Sequence, residues 1–539
     1  MTSAPDTISL APPHAARRLD GSAIVAAVLT VILLAAIVLI ELGSPAKDSQ
    51  FNADSTYLIL LMDDLVLHRG RLADWFLAPH YYFFPDGLLS LLILGAQRIG
   101  IAPFVGSVVV YGGSWIAVGA LVWRRLTGRS YLQSLPWTAL AIALGLAAFY
   151  AMYLATRGSE IETIAQGQAL FPALHAGSAM AAIISFELLL LPLAAARWSL
   201  RHWLAFAALL VLVAPVTFSD VTFVAWGIAP LLAVMASQWR HATVQRLLLM
   251  ALAVLVAAGV GFLASVATGD AVREHYLDVL RNDVSATGSG TEALEYFWRA
   301  ARVSSSPRSV IFYTNIVLWI IAAVAFWREF AGARTQPRNR MLILLGAMSF
   351  LSVAAPIASG IFAGYMVRIL VPYLLLGNLL FFGVLLASAE RLLRGRMANA
   401  ILAAGACVAI AAGAWLYAGS FPLGAQTLAS CLSARNLKSG AASYWEATPV
   451  MLETGHRIHV VPLLHTDLRP FQWMTKRQWL SHDMDGEPVA LQFVIARDAP
   501  AMLPESKVRA VFGPPQNEFR CADWTILLYT PAKSVPPAQ

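Results

Sequence analysis

The chain has little charge and few cysteines. Asp, Glu, Lys and Arg make up 13% of its 539 residues, whereas about a quarter is usual for soluble domains. Its three cysteines form neither a C-x-x-C motif nor a Cys/His cluster with zinc spacing, which argues against a structural zinc site. No fixed-period repeat is present, so a solenoid is not indicated. Hydrophobic residues instead reach 58%, which points to a membrane protein.

Long apolar runs divide the chain. A transmembrane helix needs about 20 mostly apolar residues to cross a hydrocarbon core of about 30 Å. The sequence predicts a polytopic α-helical protein with eleven spans, at roughly 22–42, 103–123, 134–154, 171–196, 203–218, 222–238, 246–268, 310–327, 341–361, 366–388 and 398–418. The run Ile24–Ile40 lacks a clear small-x-small cleavage site, so we predict a retained helix rather than a signal peptide.

Basic residues predict the orientation. Arg17 and Arg18 precede the first span, which places the N-terminus in the cytoplasm. With eleven spans, five basic connections also fall on that side: WRRLTGR, RWSLRHW, WRHATVQR, WREFAGARTQPRNR and ERLLRGR. The net charge of +7 is therefore explained by short cytoplasmic loops, and no nucleic-acid partner is expected. We predict a multi-pass protein of the bacterial inner membrane.

Two domains follow from this topology. Residues 1–419 form the transmembrane domain, with outer loops 43–102 and 269–309, and residues 420–539 form a periplasmic domain. The run Gly87–Ala96 is too short to span comfortably and is predicted to be a helix in the outer interface. The tail alternates like strands at RIHVVPLL, ALQFVIA and DWTILLY, so we predict a small α/β domain.

The cysteines divide between the domains. Cys407 lies in the last predicted span and is interpreted as a packing residue. Cys431 and Cys521 bracket the tail domain, and in an oxidising periplasm they are expected to pair. Closing so long a loop would stabilise the domain by about 4–5 kcal/mol on the chain-entropy model. Two free thiols are the alternative.

The first outer loop concentrates carboxylates. Five lie within 51–87: Asp54, Asp63, Asp64, Asp74 and Asp86. A carboxylate in a partly dry cavity has a raised pKa and can take a proton from an attacking hydroxyl or amine. Structural alternatives remain open. Asp54 could be a helix N-cap, Asp63 and Asp64 the solvated face of a helix that Gly70 ends, and Asp86 part of a Pro-Asp-Gly turn.

The layout resembles the GT-C superfamily of membrane glycosyltransferases, which includes protein O-mannosyltransferases and the aminoarabinose transferases that modify lipid A. The resemblance rests on a first span, an outer loop opening with the aspartate motif NADSTYL, aromatic-Pro patterns and a dipping helix. It implies an inverting transfer on the outer face, from a polyprenyl-phosphate sugar to a lipid, glycan or protein of the envelope. By position, Asp54 takes the role of general base. Ser55 stands where many relatives have Glu, which leaves a divalent metal undecided as a cofactor and a non-catalytic relative open as an alternative.

Further polar residues fit the same expectation. With Asp54, we predict Asp86 as catalytic. Arg368, near the outer end of the tenth span, would clamp the lipid phosphate or snorkel to the interface. The other residues predicted to bind substrate are His175, Asp63, Asp64, His80, Tyr81 and Asp220. The outer-loop charges Arg157, Glu160 and Glu162 would line the site or remain solvated.

Two other function classes are open. A transporter or flippase of a lipid-linked saccharide would show inverted repeats and charged, broken helices, whereas the predicted spans hold almost no ionisable residues at their centres. A non-catalytic scaffold would use the tail as its working part. The tail is rich in aromatic residues, which suit a sugar-binding surface or an ordinary core: Tyr444, Trp445, Phe471, Trp473, Trp479, Trp524 and Tyr529.

Overall fold

The chain is mostly helical. A computed structural model describes residues 21–78, 80–156, 169–172, 175–195, 197–283, 295, 297–299, 301–302, 307–332, 336–358, 396–483 and 486–536. Its helices are α1 Gly21–Leu42, α2 Ala53–Met62, α3 Leu88–Arg98, α4 Pro103–Thr127, α5 Tyr131–Thr156, α6 Ala176–Ala194, α7 Leu200–Ser219, α8 Ala229–Ser237, α9 Val244–Asp283, α10 Pro307–Phe330, α11 Pro337–Ala358, α12 Arg396–Ala418, α13 Gly424–Ser433, α14 Tyr444–Glu453 and α15 Glu505–Phe512.

Nine helices of the described chain are long and apolar enough to cross a membrane. They are α1, α4, α5, α6, α7, α9, α10, α11 and α12. The predicted sixth span, 222–238, is instead a shorter apolar segment, a π-helical turn Val224–Ile228 followed by α8. The predicted span 366–388 lies outside the described residues. A polytopic helical bundle is thus confirmed, and the count of eleven is not.

The shorter segment still connects the two ends of the bundle. Asp220, just before it, lies at the end where the first loop packs, because His80 of that loop approaches it. Trp239, just after it, donates its indole N–H to the Phe330 carbonyl at 3.0 Å, at the other end of α10. We call the first end the loop face. The residues between these contacts therefore run from one end of the bundle to the other.

The first loop begins with α2. Asn52 caps this helix, because its side chain accepts the Asp54 and Ser55 backbone N–H groups while the Ser55 hydroxyl accepts the Asn52 N–H. The interpretation of Asp54 as the N-cap is therefore wrong. After Met62 the chain continues as a π-helical turn, Asp63–Leu67, so the helical turns end before Gly70.

The helix predicted at Gly87–Ala96 is confirmed as a separate short helix, α3, at Leu88–Arg98. Leu88 and Leu92 are exposed on one side, whereas Ser90 and Ile93 are buried on the other. The buried side packs against α2 and α4. A second expectation needs correction, since the predicted polar loop 269–309 begins inside α9, which continues to Asp283.

The tail forms a five-stranded sheet with the order β3-β2-β5-β7-β6. Its strands are β2 Ser439–Ser443, β3 His459–Leu463, β5 Leu491–Ala496, β6 Asn517–Cys521 and β7 Trp524–Lys533. Strand β2 runs parallel to β3 and β5, while β5, β7 and β6 are antiparallel. The structure joins Cys431 of α13 to Cys521 of β6 by a disulfide, with their Cα atoms 6.3 Å apart.

The first loop also pairs with the tail. Strand β1, Trp75–Phe76, pairs antiparallel with β4, Thr475–Lys476, in a separate two-stranded sheet. Helix α2 packs on α14 of the tail. The first loop therefore lies between the helical bundle and the tail domain, and its side chains contact both.

Candidate functional site

Four of the five aspartates of the first loop divide into two groups, and Asp74 belongs to neither. Asp54, Asp63 and Asp64 face the tail domain, and we call them with their tail partners the seam cluster. Asp86 faces the opposite way, toward the helix ends that carry His175 and Asp220. We call Asp86, His175 and Asp220, together with Tyr82 and His80 of the loop, the span-end cluster.

Asp54 is buried at the seam. The Tyr444 hydroxyl of α14 donates to its Oδ1 at 2.8 Å, and the same hydroxyl lies 3.1 Å from Met474 Sδ. Two residues further along α2, the Thr56 hydroxyl donates to the Thr448 hydroxyl at 3.2 Å. The first turn of α2 therefore sets the Asp54 carboxylate against a tyrosine of the other domain.

Aromatic rings surround this contact. The rings of Trp445 and Phe471 each lie 5.1 Å from the Tyr444 ring, and Trp473 stacks on Phe471 at 6.3 Å. Trp445, Phe471 and Trp473 are only half buried. The accessible part of such a ring can receive the C–H face of a sugar. We call the four rings the aromatic platform.

Asp63 and Asp64 have partners of their own. Asp63 Oδ2 contacts His456 Nε2 at 3.0 Å and His68 Nδ1 at 3.4 Å. Asp64 accepts from Lys476 Nζ and from the Trp75 indole N–H, each at 2.8 Å. Both carboxylates are buried, so the interpretation as a solvated helix face is wrong. These two residues hold the loop to the tail domain.

In the span-end cluster, Asp86 reaches into the helical bundle. Its Oδ1 accepts from the Tyr111 hydroxyl at 2.7 Å, and the Gly177 backbone N–H at the start of α6 also donates to it. A Cβ at Gly177 would lie 2.2 Å from Asp86 Oδ2, so only glycine allows this approach. Burial raises the pKa of Asp86 to about 6, although the Tyr111 hydrogen bond opposes the rise.

His175 links two neighbours. Its Nδ1 lies 2.8 Å from Asp220 Oδ2, and its Nε2 lies 3.2 Å from the Tyr82 hydroxyl. The Ser178 hydroxyl donates to the same Asp220 oxygen at 2.6 Å. Burial alone would raise the pKa of Asp220, but the charge and hydrogen bond of His175 outweigh it and lower that pKa overall. The cluster thus holds two nearby carboxylates with opposite protonation tendencies.

The two remaining predicted loop residues differ. His80 Nδ1 lies 3.6 Å from Asp220 Oδ1, and burial lowers the pKa of His80 to about 4. Tyr81 points elsewhere, since its hydroxyl donates to the Ser265 carbonyl of α9 at 3.2 Å and its ring packs on Phe83 and Phe218. Tyr82, which the sequence analysis does not single out, occupies the place beside His175.

The structure brings only some predicted site residues together. Asp86, His175, His80 and Asp220 share one cluster, and Asp54 belongs to the other. Arg368, Arg157, Glu160 and Glu162 lie outside the described residues. Within the residues that are described, no group of three or more His, Cys, Asp or Glu side chains could hold a metal ion.

Comparison of the chain with known protein families and with curated protein sequences found no match. The GT-C layout therefore remains a resemblance in motif and topology. The seam cluster and the span-end cluster are therefore the features that bear on function.

Proposed function

We propose that the protein is a membrane glycosyltransferase that moves a sugar from a polyprenyl-phosphate donor to an envelope acceptor on the loop face, with Asp54 as general base. One observation carries the proposal. The Asp54 carboxylate is held by Tyr444, and the ring of that buried tyrosine packs against the partly exposed rings of the aromatic platform. A proton acceptor beside a surface suited to sugar rings, at the membrane end of the bundle, matches the needs of this transfer.

The proposed step balances as an inverting displacement. The acceptor hydroxyl or amine attacks the anomeric carbon of the donor and gives its proton to the Asp54 carboxylate. The bond from that carbon to the phosphate oxygen breaks, and polyprenyl phosphate leaves with the electron pair. A carboxylate can accept about four hydrogen bonds, so the Tyr444 hydroxyl can orient Asp54 while an acceptor proton is taken.

The lipid part of the donor has a candidate cleft. An apolar space of about 340 Å³ lies between α10 and α11, lined by rings that include Phe312, Trp319 and Phe350. It lies near the loop face, because α10 begins there and α11 ends there. A polyprenyl chain is wholly apolar, and such a space suits it without any polar group being buried.

The packing supports the eleven-span topology that this proposal needs. The first loop and the tail domain touch, so an even number of crossings must separate them. Eight candidate spans of the described chain lie between them, and the shorter segment at 224–237 connects the same two ends. Helix α11 ends at the loop face and α12 begins at the opposite one, which the predicted span 366–388 would reconcile. We propose that the loop face is periplasmic.

Asp86 is the second candidate base. Its pKa of about 6 suits proton transfer near neutral pH. However, its carboxylate is occupied inside the bundle by Tyr111 and the Gly177 backbone. We therefore assign Asp86 to positioning the loop, and Asp54 to the chemistry.

A transfer assay separates these roles. Purified protein in lipid nanodiscs would be incubated with radiolabelled polyprenyl-phosphate sugars and cell-envelope acceptors. Asp54→Asn is expected to lose transfer by roughly 10²–10⁴-fold, because an amide cannot take the proton, while thermal stability stays near that of the wild type. Asp74→Asn is the matched control, since in the described chain the Asp74 side chain makes no hydrogen bond or ion pair.

Three results would count against the proposal. Normal transfer by Asp54→Asn would remove this residue as the base. Loss in Asp86→Asn alone, with stability intact, would move the base to the span-end cluster. Movement of intact lipid-linked sugar across the nanodisc or vesicle membrane, with no sugar transferred, would favour a flippase.

A further inference from the structure

A second space lies beside the aromatic platform, on the tail domain. It is an open surface pocket of about 480 Å³, lined by ten residues, among them Phe76, Gln472, Val535 and the exposed Arg477. Binding sites for small ligands commonly have volumes of about 300–1,000 Å³. We call it the Arg477 cavity.

The cavity and the platform share one segment of chain. Pro470 and Gln472 line the cavity, whereas the alternate residues Phe471 and Trp473 belong to the platform. On the first loop, Phe76 lines the cavity, while the preceding Trp75 donates to Asp64 at the seam. The cavity therefore borders the same two chain segments that form the platform and the seam.

The polar groups of the cavity are one cation and neutral donors. The Arg477 guanidinium lies over the Phe76 ring, 4.2 Å from its centroid. In the described part of the chain, neither the guanidinium of Arg477 nor the amide of Gln472 forms a hydrogen bond or an ion pair with protein. No Asp or Glu lines the cavity. The unpaired groups therefore favour an anionic ligand.

We propose that the Arg477 cavity binds an acidic sugar residue of the acceptor glycan, a substrate class that rests on the proposed function. A guanidinium presents two parallel N–H donors, which match the oxygens of a carboxylate or phosphate. The Gln472 amide can bond to ring hydroxyls, and the Pro470 and Val535 walls can pack on the C–H face of the sugar. A glycan bound here would cross the Pro470–Trp473 segment to reach the platform.

Direct binding tests this inference without any donor. The full chain in nanodiscs would be titrated calorimetrically with trigalacturonate, with glucose 1-phosphate and with neutral maltotriose. At least one acidic probe is expected to bind ten-fold or more tightly than maltotriose, and the two acidic probes distinguish a carboxylate from a phosphate. Equal affinity for all three probes, or no binding of either acidic probe, would overturn the proposal.

Variants locate the site. Arg477→Ala should weaken the acidic probe at least ten-fold, and Arg477→Lys should recover part of the loss, because an ammonium keeps the charge but not the fork. Val535→Trp should reduce binding by filling the space while leaving the cation in place. Arg435→Ala is the matched control, since Arg435 also lies over a ring of the tail, that of Phe519, and should bind like the wild type. Wild-type affinity in Arg477→Ala would refute the assignment.

The outcome is separable from that of the transfer assay. Asp54→Asn should bind the acidic probe normally, because Asp54 does not line the cavity. Binding without transfer would refute the glycosyltransferase proposal and leave the anion site standing. Transfer that is equally efficient to acidic and neutral acceptors, with no probe binding, would refute the anion site alone.

Discussion

The Tyr82 hydroxyl lies 3.2 Å from His175 Nε2, although 93 residues separate the two in sequence. Both residues have left-handed backbone conformations, with φ of 55° and 61°. Such conformations cost of order 1–3 kcal/mol each for residues with large side chains, and they persist where the surroundings determine them. Here the surroundings are the hydrogen bonds that continue from His175 to Asp220. These hydrogen bonds hold the first loop against α6 and α7 in spite of the backbone strain.

Removing the Tyr82 hydroxyl should weaken this attachment. Tyr82→Phe is expected to lower the free energy of unfolding by about 1–2 kcal/mol, because His175 loses a buried hydrogen-bond partner. Thermal unfolding in nanodiscs measures the effect. Tyr417→Phe is the control. Tyr417 is 52% exposed, so the loss of its hydroxyl should leave the melting temperature unchanged. Equal melting temperatures for Tyr82→Phe and the wild type would show that the contact is not formed.

Asp86 should make stability depend on pH. Burial raises its folded-state pKa to about 6 from 3.8, so between these values the folded protein binds more protons than the unfolded chain. Its contribution to stability is therefore fully present below about pH 4 and is lost as the pH rises through about 6. The loss amounts to about 3 kcal/mol, from 1.36 kcal/mol per pKa unit.

Asp86→Asn isolates this contribution. At pH 4 the protonated carboxyl resembles an amide, so variant and wild type should unfold at similar temperatures. At pH 7 the variant should unfold at a higher temperature than the wild type, because it carries no buried charge at this position. The neighbouring His175, His80 and Asp220 are present in both proteins, so the difference in stability between variant and wild type isolates Asp86. A difference that stays constant from pH 4 to 7 would mean that Asp86 is not held in this environment.

The ion pair between Asp64 and Lys476 should hold the two domains together. Their charged atoms are 2.8 Å apart, with side chains 8% and 15% exposed. Lys476→Met should destabilise the protein by roughly 3 kcal/mol, because Asp64 keeps a largely buried charge with one partner fewer. Adding Asp64→Asn should restore part of the loss, and a double-mutant cycle on the free energy of unfolding measures the coupling.

The control for this cycle is Lys438→Met, since Lys438 is exposed on the same domain. It should change stability by less than about 0.5 kcal/mol. Additive effects of Asp64→Asn and Lys476→Met would argue against a direct pair. If Lys476→Met lowers only the resistance of the tail to limited proteolysis and leaves the bundle intact, the effect is located at the seam.

The sequence alone determined the architecture of the bundle and most of the tail. Apolar runs predict transmembrane helices because a lipid-facing helix must be apolar along its whole length, and nine of the eleven predicted spans are such helices in the described chain. Alternation of apolar and polar residues predicted strands β3, β5 and β7, because successive side chains of a strand face opposite sides of the sheet. Alternation missed β2, because its small residues SGAAS give no alternating signal. A small residue is needed there, since Gly440 leaves room for the Phe493 ring of β5.

The roles of the carboxylates were decided by the tertiary structure. Local sequence marked the first loop as unusual, but each aspartate acquires its environment from a distant partner. Tyr444 is 390 residues from Asp54 and Lys476 is 412 residues from Asp64, and no local pattern encodes such pairings. Neither the role of Tyr82 nor the Arg477 cavity could be predicted from the sequence, for the same reason. Membrane helices are specified by the solvent around each segment, whereas a site depends on which segments meet, and only the folded chain determines that.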